Sequence, residues 1–269
     1  MDRDPTWSNR THNVRLRHET AIDLVHGYLC LSRTAYWRGL APLRRELAAR
    51  GWPVITGCVP RTGPVAVRAR RLASVLDRLP HRRLVLVGHS MGGLDARFAA
   101  SRFDQSRRIC HVVTVGTPHR GTAIAEWALR ESVWLGRFAR FVDCGALQDL
   151  TIDGAQRLNA LMPDRPDVTY VSVVGDYPVE RLSGSLRRFG ERVARDEGPN
   201  DGLVSVHSAT RGPRTIVVRG HHMSLIGQGQ TGLADGSETT DSSQPVVVLR
   251  KVLNQLGPAS AARLEPARP

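Results

Sequence analysis

The chain of 269 residues almost lacks lysine: Lys251 is the single example, so nearly all of the positive charge comes from arginine. With 38 basic and 25 acidic residues, the formal net charge is +13. Such a balance favours nucleic acid or anionic membranes as partners. The arginines are nevertheless scattered, often in pairs such as Arg44-Arg45, with no long basic block or interleaved aromatic patch. We therefore expect a solvated arginine-rich surface and no nucleic-acid partner.

Long apolar runs are also missing. No segment approaches the roughly 20 apolar residues that span a bilayer, and residues 1–20 carry no apolar stretch typical of a signal peptide. The four cysteines show no CxxC or metal-binding spacing, which favours a reducing compartment. These features predict a cytoplasmic protein. The cysteines are Cys30, Cys58, Cys110 and Cys144.

Short apolar runs alternate with longer helical patterns along the chain. Continuous apolar runs separated by helices are typical of parallel strands buried on both faces. We therefore predict an α/β fold with a mostly parallel, doubly wound sheet and a site at the carboxyl ends of its strands. The predicted strands are 20–25, 53–58, 83–87, 109–115, 168–174 and 215–218, and the clearest helices are 40–50, 65–79, 91–101 and 246–256.

The third predicted strand runs directly into the motif GHSMG at 88–92, and a helical pattern follows. A G-x-S-x-G pentapeptide alone arises often by chance, but its position between strand and helix makes it more specific. There the sharp turn exposes the serine, and the flanking glycines keep side chains away. The helix N-terminus also favours a developing oxyanion. This pattern predicts Ser90 as a nucleophile.

The first predicted strand ends in His26-Gly27-Tyr28. In sheets of this kind such a turn brings a backbone amide to face the nucleophile, although a His-Gly pair can also simply turn the chain. We expect the amides of Tyr28 and Met91 to form an oxyanion hole, at about 3–4 kcal/mol of transition-state stabilisation per donor.

A serine nucleophile needs a histidine base and a carboxylate that orients the histidine. In α/β-hydrolases the three residues follow along the chain in the order serine, acid, histidine. His221 and His222 come just after the last predicted strand, where the base belongs, whereas His207 precedes that strand. Asp176 directly follows the fifth strand, and Asp201 lies further along the same connection. The residues alone leave both acids open.

Several longer motifs are more specific than GxSxG. Together they resemble the bacterial triacylglycerol lipases of the true-lipase family, the group related to Pseudomonas and Burkholderia enzymes, over roughly residues 22–225. We expect an α/β-hydrolase domain at 20–257, between an N-terminal extension at 1–19 and a frayed, proline- and alanine-rich tail at 258–269. The resemblance places a helical cap within this domain, at about 121–165. The motifs are LVHGY at 24–28 with Tyr36-Trp37 downstream, GHSMGG at 88–93, GTPHRG at 116–121 and NDGLV at 200–204.

The resemblance also implies site residues. It assigns Asp201, in NDGLV, as the triad acid and His222 as the base, with Asp176 as the fallback acid. The chain departs from the family at Ser224, where extracellular members carry a calcium-ligating aspartate, so a structural calcium site is doubtful. It also lacks their cysteine just after NDGLV, and its apolar lid region is short, which suggests an intracellular esterase or a small lipase.

The implied function is therefore hydrolysis of carboxylic esters through a Ser-Asp-His triad and an acyl-enzyme, with no cofactor. The expected partners are a lipid or small acyl-ester substrate and a transient contact with a lipid interface. An acyltransferase using the same triad is the alternative. A non-catalytic binding protein on this fold would usually lack a triad member, and all three are present here.

Overall fold

The computed structural model describes residues 19–28, 30, 32–56, 59–134, 144–228 and 245–256. The predicted tail at 258–269 lies outside the described residues, as does all but the last residue of the predicted N-terminal extension. Within the predicted cap, the stretch 135–143 is likewise outside them.

In the described part of the chain, six strands form one sheet in the order β2-β1-β3-β4-β5-β6. Every neighbouring pair is parallel, so all carboxyl ends meet at one edge. The predicted α/β architecture with a parallel sheet is confirmed. The strands are β1 (Thr20–Val25), β2 (Val54–Thr56), β3 (Arg83–His89), β4 (Ile109–Val115), β5 (Thr169–Asp176) and β6 (Thr215–Arg219).

The strand β3 extends two residues beyond its predicted end. Gly88 pairs with Val25 of β1, and His89 pairs with Val115 of β4. Pairing on both sides keeps these residues in the sheet although glycine and histidine interrupt the apolar pattern. The nucleophile motif therefore begins inside the strand.

Helices cover both faces of the sheet. Among the described residues, none of them is long and apolar enough to cross a membrane. The predicted cytoplasmic location stays a prediction. The helices are α1 (Arg33–Tyr36), α2 (Ala41–Ala49), α3 (Val65–Leu76), α4 (Met91–Arg102), α5 (Ala123–Trp134), α6 (Cys144–Leu150), α7 (Ile152–Leu161), α8 (Gly184–Glu197), α9 (Val206–Ala209) and α10 (Pro245–Gln255), with short 3-10 turns at Arg38–Leu40, Val179–Arg181 and Ser224–Ile226.

Alternate residues of β3 enter opposite layers of the core, because successive side chains of a strand point to opposite faces. Leu84 and Leu86 pack with buried side chains of α3 and α4. Val85 and Val87 pack with those of α2 and α10. Burial of each such side chain stabilises the fold by roughly 1.5–3 kcal/mol. Apolar contacts on both faces therefore hold the sheet between the two layers of helices.

The helix α8 lies in the connection after β5 and was not anticipated from the sequence. Its apolar residues Leu186, Phe189 and Val193 form a narrow stripe among charged residues, and its buried residues are Gly190 and Val193. The i, i+3, i+7 spacing of the three apolar residues is that of an amphipathic helix, so this pattern could have predicted α8. The helix packs against the loop that carries Asp201, since a β-carbon at Gly202 would lie 2.9 Å from the Leu186 side chain.

A buried histidine lies inside the sheet, away from its carboxyl edge. His111 in β4 is 1% exposed. Neither of its ring nitrogens has a hydrogen-bond partner among the described residues. Burial, and after it the charges of Arg83 and Arg214, lowers the pKa of His111 to about 4. The folded protein therefore binds this proton less readily than the unfolded chain.

This difference predicts a stability that depends on pH. Because the folded pKa lies below the unfolded value, His111 should destabilise the protein increasingly as the pH falls from about 7 through 5, by about 2 kcal/mol. We expect His111→Gln to reduce the loss of unfolding free energy between pH 7 and pH 5, measured by urea denaturation. His207→Gln, which removes an exposed imidazole, should leave that loss unchanged. Identical pH profiles for wild type and His111→Gln would contradict the prediction.

Candidate active site

Ser90 occupies the sharp turn between β3 and α4. Its backbone has φ 56° and ψ −129°, a left-handed conformation that residues with a β-carbon rarely adopt. The Ser90 amide donates to the carbonyl of Val115 at 2.9 Å, and the Gly93 amide donates to the Ser90 carbonyl at 3.0 Å. These bonds fix the turn to β4 and to the first turn of α4, with Ser90 partly exposed.

The glycines around Ser90 allow this turn to pack closely. A β-carbon added at Gly88 would lie 2.4 Å from the Gly92 carbonyl oxygen, and one at Gly92 would lie 2.3 Å from that of Val25. No side chain fits at either position without displacing backbone. The GxSxG spacing is therefore a steric requirement of the contacts that α4 makes with the ends of β3 and β1.

His222 and Asp201 form a buried pair at the same edge. His222 Nδ1 lies 2.7 Å from Asp201 Oδ2, and the two residues are 3% and 1% exposed. The other carboxylate oxygen of Asp201 accepts from the amides of Leu203 and Val204 at 3.0 and 2.8 Å. Since the carboxylate accepts, Nδ1 carries the proton and Nε2 is left as the basic nitrogen.

Two close approaches bring this pair next to the nucleophile turn. A β-carbon at Gly116, the residue after β4, would lie 3.0 Å from Asp201 Oδ2 and 3.3 Å from His222 Nδ1. The His222 ring lies against the ring of His89, which precedes Ser90, with centroids 4.6 Å apart. The ends of β3 and β4 therefore meet the loop after β6 at a single site.

The two candidate acids occupy different positions. Asp176 is the last residue of β5 and its side chain is exposed. Asp201 comes later in the chain but returns to the end of β5, because a β-carbon at Gly175 would lie 2.8 Å from Asp201 Cβ. Asp201 thus takes the place at the strand end and contacts His222, whereas the alternative base His221 lies against Tyr177, with ring centroids 5.6 Å apart.

The predicted oxyanion loop lies against Ser90. A β-carbon at Gly27 would be 2.9 Å from Ser90 Cβ. The Gly27 carbonyl accepts from His26 Nδ1 at 2.9 Å and from Arg68 at 3.4 Å. In a trans peptide the N–H points opposite to the carbonyl, so these bonds turn the Tyr28 amide away from Arg68. Met91, the second predicted donor, is buried at the start of α4.

Residues 24–194, more than half of the chain, match the alpha/beta hydrolase fold family. The chain belongs to this family. Triacylglycerol lipase 2 of Saccharomyces cerevisiae is 28% identical over 197 residues, covering 69% of this chain and 60% of that protein. A triacylglycerol lipase of Burkholderia plantarii is 32% identical over 117 residues, covering 39% of this chain and 31% of that protein. The expected resemblance to bacterial triacylglycerol lipases is confirmed.

A solved structure shows the same fold. The crystal structure of a metagenomic carboxyl esterase superposes with a TM-score of 0.70 at 21% identity, covering 89% of this chain and 77% of that one. The match to the curated lipases covers less than two thirds of their length. The similarity is thus one of fold with the esterase, and of part of the sequence with the lipases.

A buried ion pair in this α/β-hydrolase-fold protein escaped the sequence analysis. Arg68 in α3 and Asp95 in α4 are both 0% exposed, with Nη2 and Oδ2 at 2.7 Å. Arg68 also donates to the carbonyls of His26 at 2.8 Å and Pro60 at 2.5 Å. The signal was a charge on the apolar stripe of α3, between Val65 and Leu72. Through these bonds the buried pair fixes the backbone of the predicted oxyanion loop at His26-Gly27-Tyr28.

The region of the predicted cap starts beside the loop that carries Asp201. The first amide of α5, at Ala123, donates to Glu197 Oε1 at 2.7 Å, and Thr122 Oγ1 donates to the Leu203 carbonyl at 2.7 Å. Further along α5, the Trp127 ring contacts Phe189 of α8, with centroids 5.9 Å apart. The role of α5 as a lid over an acyl pocket stays a prediction.

The sequence predicts that the calcium site of the extracellular family members is doubtful in this chain. Ser224, at the position of the family's calcium-ligating aspartate, donates its hydroxyl to the His221 carbonyl at 2.8 Å. Within the described ranges, no cluster of three or more His, Cys, Asp or Glu side chains could hold a metal ion. The doubt about a structural calcium site stays a prediction.

We predict that Arg68→Met lowers the free energy of unfolding by about 3–5 kcal/mol, because it leaves the buried Asp95 carboxylate without its cation. Arg187→Met is the matched control, since it removes an exposed ion pair with Glu191 on α8, and it should cost less than about 1 kcal/mol. The double variant Arg68→Met/Asp95→Leu should recover part of the loss. Urea denaturation measures all three, and equal effects of the two methionine variants would contradict a buried pair.

Proposed function

We propose that the protein is a carboxylic ester hydrolase of the lipase/esterase type, with Ser90, Asp201 and His222 as its catalytic triad. One arrangement carries the proposal: a serine in a left-handed turn at the end of β3, beside a buried His222–Asp201 pair. Such a turn costs conformational energy and persists where the surroundings impose it. An accessible nucleophile beside an oriented imidazole is the arrangement that acyl transfer requires.

The reaction proceeds in two steps. His222 Nε2 takes the proton of Ser90 Oγ as that oxygen attacks the ester carbonyl carbon, and the carbonyl π electrons move onto oxygen. Collapse of this tetrahedral intermediate breaks the bond to the alcohol oxygen, which receives the proton from His222. Water then repeats the sequence on the acyl-Ser90 ester and releases the carboxylic acid and free serine.

Two charges develop during each step, and the site provides for both. Asp201 stabilises the positive imidazolium and, through the bond to Nδ1, keeps Nε2 available as the base. The amides of Tyr28 and Met91 stabilise the tetrahedral oxyanion. No cofactor takes part in this mechanism.

Similarity to triacylglycerol lipases supports an ester of a fatty or shorter acyl chain as the substrate. We propose a lipid or a small acyl ester, met at a transient contact with a lipid interface. The same acyl-enzyme could pass its acyl group to an alcohol instead of water. Product analysis with glycerol or ethanol as a competing acceptor separates hydrolysis from acyl transfer.

The variant Ser90→Ala should abolish hydrolysis of p-nitrophenyl esters of graded chain length, because no other group supplies the nucleophile. A fluorophosphonate probe should label Ser90 in the wild type and leave the variant unlabelled, as mass mapping of the adduct checks. Ser185→Ala, which alters an exposed serine on α8, should retain full activity. Substantial activity of Ser90→Ala, with an unchanged fold, would remove the nucleophile assignment.

The acid assignment predicts unequal effects of two conservative changes. Asp201→Asn should lower kcat by about 10⁴-fold, because an amide at this position favours the wrong tautomer of His222. Asp176→Asn, at the exposed end of β5, should change kcat less than about threefold. Steady-state kinetics on one ester substrate distinguishes them, and a larger loss in Asp176→Asn would transfer the role of acid to that residue.

A further inference from the structure

Two side chains outside the proposed triad lie between the oxyanion loop and the catalytic histidine. Tyr36 ends α1, and His89 is the last residue of β3. The Tyr36 hydroxyl lies 3.0 Å from the Gly27 amide and 2.5 Å from His89 Nδ1. The other ring nitrogen of His89 lies 3.0 Å from the carbonyl oxygen of His222. These contacts form one continuous chain of hydrogen bonds.

The directions of these bonds follow from the chemistry of their ends. A carbonyl oxygen only accepts, so His89 Nε2 carries a proton and donates to His222. His89 is 1% exposed, and burial, with the charge of His222 acting the same way, holds the pKa of His89 well below its ordinary value. A neutral imidazole protonated on Nε2 has an acceptor at Nδ1. The Tyr36 hydroxyl therefore donates to Nδ1.

The same logic fixes the other end of the chain. An amide nitrogen only donates, so the Gly27 N–H donates to the Tyr36 oxygen. Burial raises the pKa of Tyr36, which keeps the hydroxyl protonated. Tyr36 thus accepts from the oxyanion loop and donates to His89, so one hydroxyl joins both.

The segment that carries Tyr36 is also held against the loop after His222. Gln228 Nε2 donates to the carbonyls of Ala35, at 3.0 Å, and Tyr36. A β-carbon at Gly39 would lie 2.3 Å from the backbone of Gly227. Contacts with Gly227 and Gln228, in the loop after His222, therefore position the segment that carries the Tyr36 hydroxyl.

We propose that Tyr36 and His89 form a positioning relay, in which the Gly27 amide, the Tyr36 hydroxyl and the His89 ring fix the oxyanion loop and the His222 backbone relative to each other. The inference rests on the proposed function. Neither residue touches the reacting atoms, and both act through groups that do. The relay aligns the donors and the base before substrate arrives, which is where preorganised electrostatic stabilisation originates.

The test is Tyr36→Phe, which removes one oxygen and keeps the ring packed against Trp37 and His89, at centroid distances of 5.1 and 5.6 Å. We expect kcat for a p-nitrophenyl ester to fall about 10- to 100-fold while KM changes less than about threefold, because the lost alignment acts on the transition state. The rate of fluorophosphonate labelling of Ser90 should fall in parallel.

Tyr170→Phe is the matched control. The Tyr170 hydroxyl also accepts from a backbone amide, that of Arg165 at 3.1 Å, at the opposite end of the sheet. Each phenylalanine variant leaves one backbone amide without its tyrosine partner. Tyr36→Phe also leaves His89 Nδ1 without a donor, so kcat is compared at temperatures equally far below the Tm of each variant. Only Tyr36→Phe should lose kcat. Equal kcat in the two variants, or a loss that follows Tm alone, would overturn the relay.

His89 supplies a second, independent variant. His89→Gln retains an N–H donor toward the His222 carbonyl, whereas His89→Leu has none, so the glutamine variant should keep at least tenfold more kcat. Equal kcat in the two, as packing alone predicts, would overturn the relay even where Tyr36→Phe fails to fold. A wild-type protein without Ser90-dependent ester cleavage would instead overturn the proposed function, and the relay with it.

Discussion

The left-handed backbone at Ser90 is the constraint on which the rest of the site depends. A residue with a β-carbon holds φ 56° only where neighbouring contacts compensate for the strain. Here the compensation comes from the carbonyl of Val115 and from close contacts at Gly88 and Gly92. The position of the nucleophile is therefore a property of β3, β4 and α4 together. A mobile loop could not maintain it.

Buried polar groups fix the position of the backbone around the nucleophile. Removing Arg68 and Asp95 from water costs free energy that their attraction offsets only in part. An apolar pair would avoid the cost, but it could not bond the carbonyls of His26 and Pro60, which Arg68 reaches. Since a carbonyl accepts and never donates, each such bond also fixes the orientation of a peptide. The buried pair therefore stabilises the fold less than an apolar pair would, but it fixes the orientation of the peptides next to the site.

The sequence predicts what depends on local pattern and fails where distant contacts decide. Short, nearly continuous apolar runs predict the bounds of β1 and β4 to the residue, because both faces of each strand are buried. The return of Asp201 to the end of β5 depends on how α8 packs, and a stripe of three apolar residues does not reveal this. The pairing of Arg68 with Asp95 is set by tertiary packing alone, so the charge on the apolar stripe of α3 indicates a buried partner but does not identify it.

Hydrogen bonds attach the predicted cap region to the rest of the domain at two points. Glu197 bonds both the Ala123 amide, at the start of α5, and the Ser205 hydroxyl, at 2.6 Å, in the loop after Asp201. Near the other end, Asp149 accepts from the Val65 amide of α3 at 2.7 Å. A rigid displacement of the predicted cap would break these bonds and disturb the loop that carries Asp201. Ala123 and Asp149 are therefore both tied to the rest of the domain, Ala123 through the loop that carries Asp201 and Asp149 through α3.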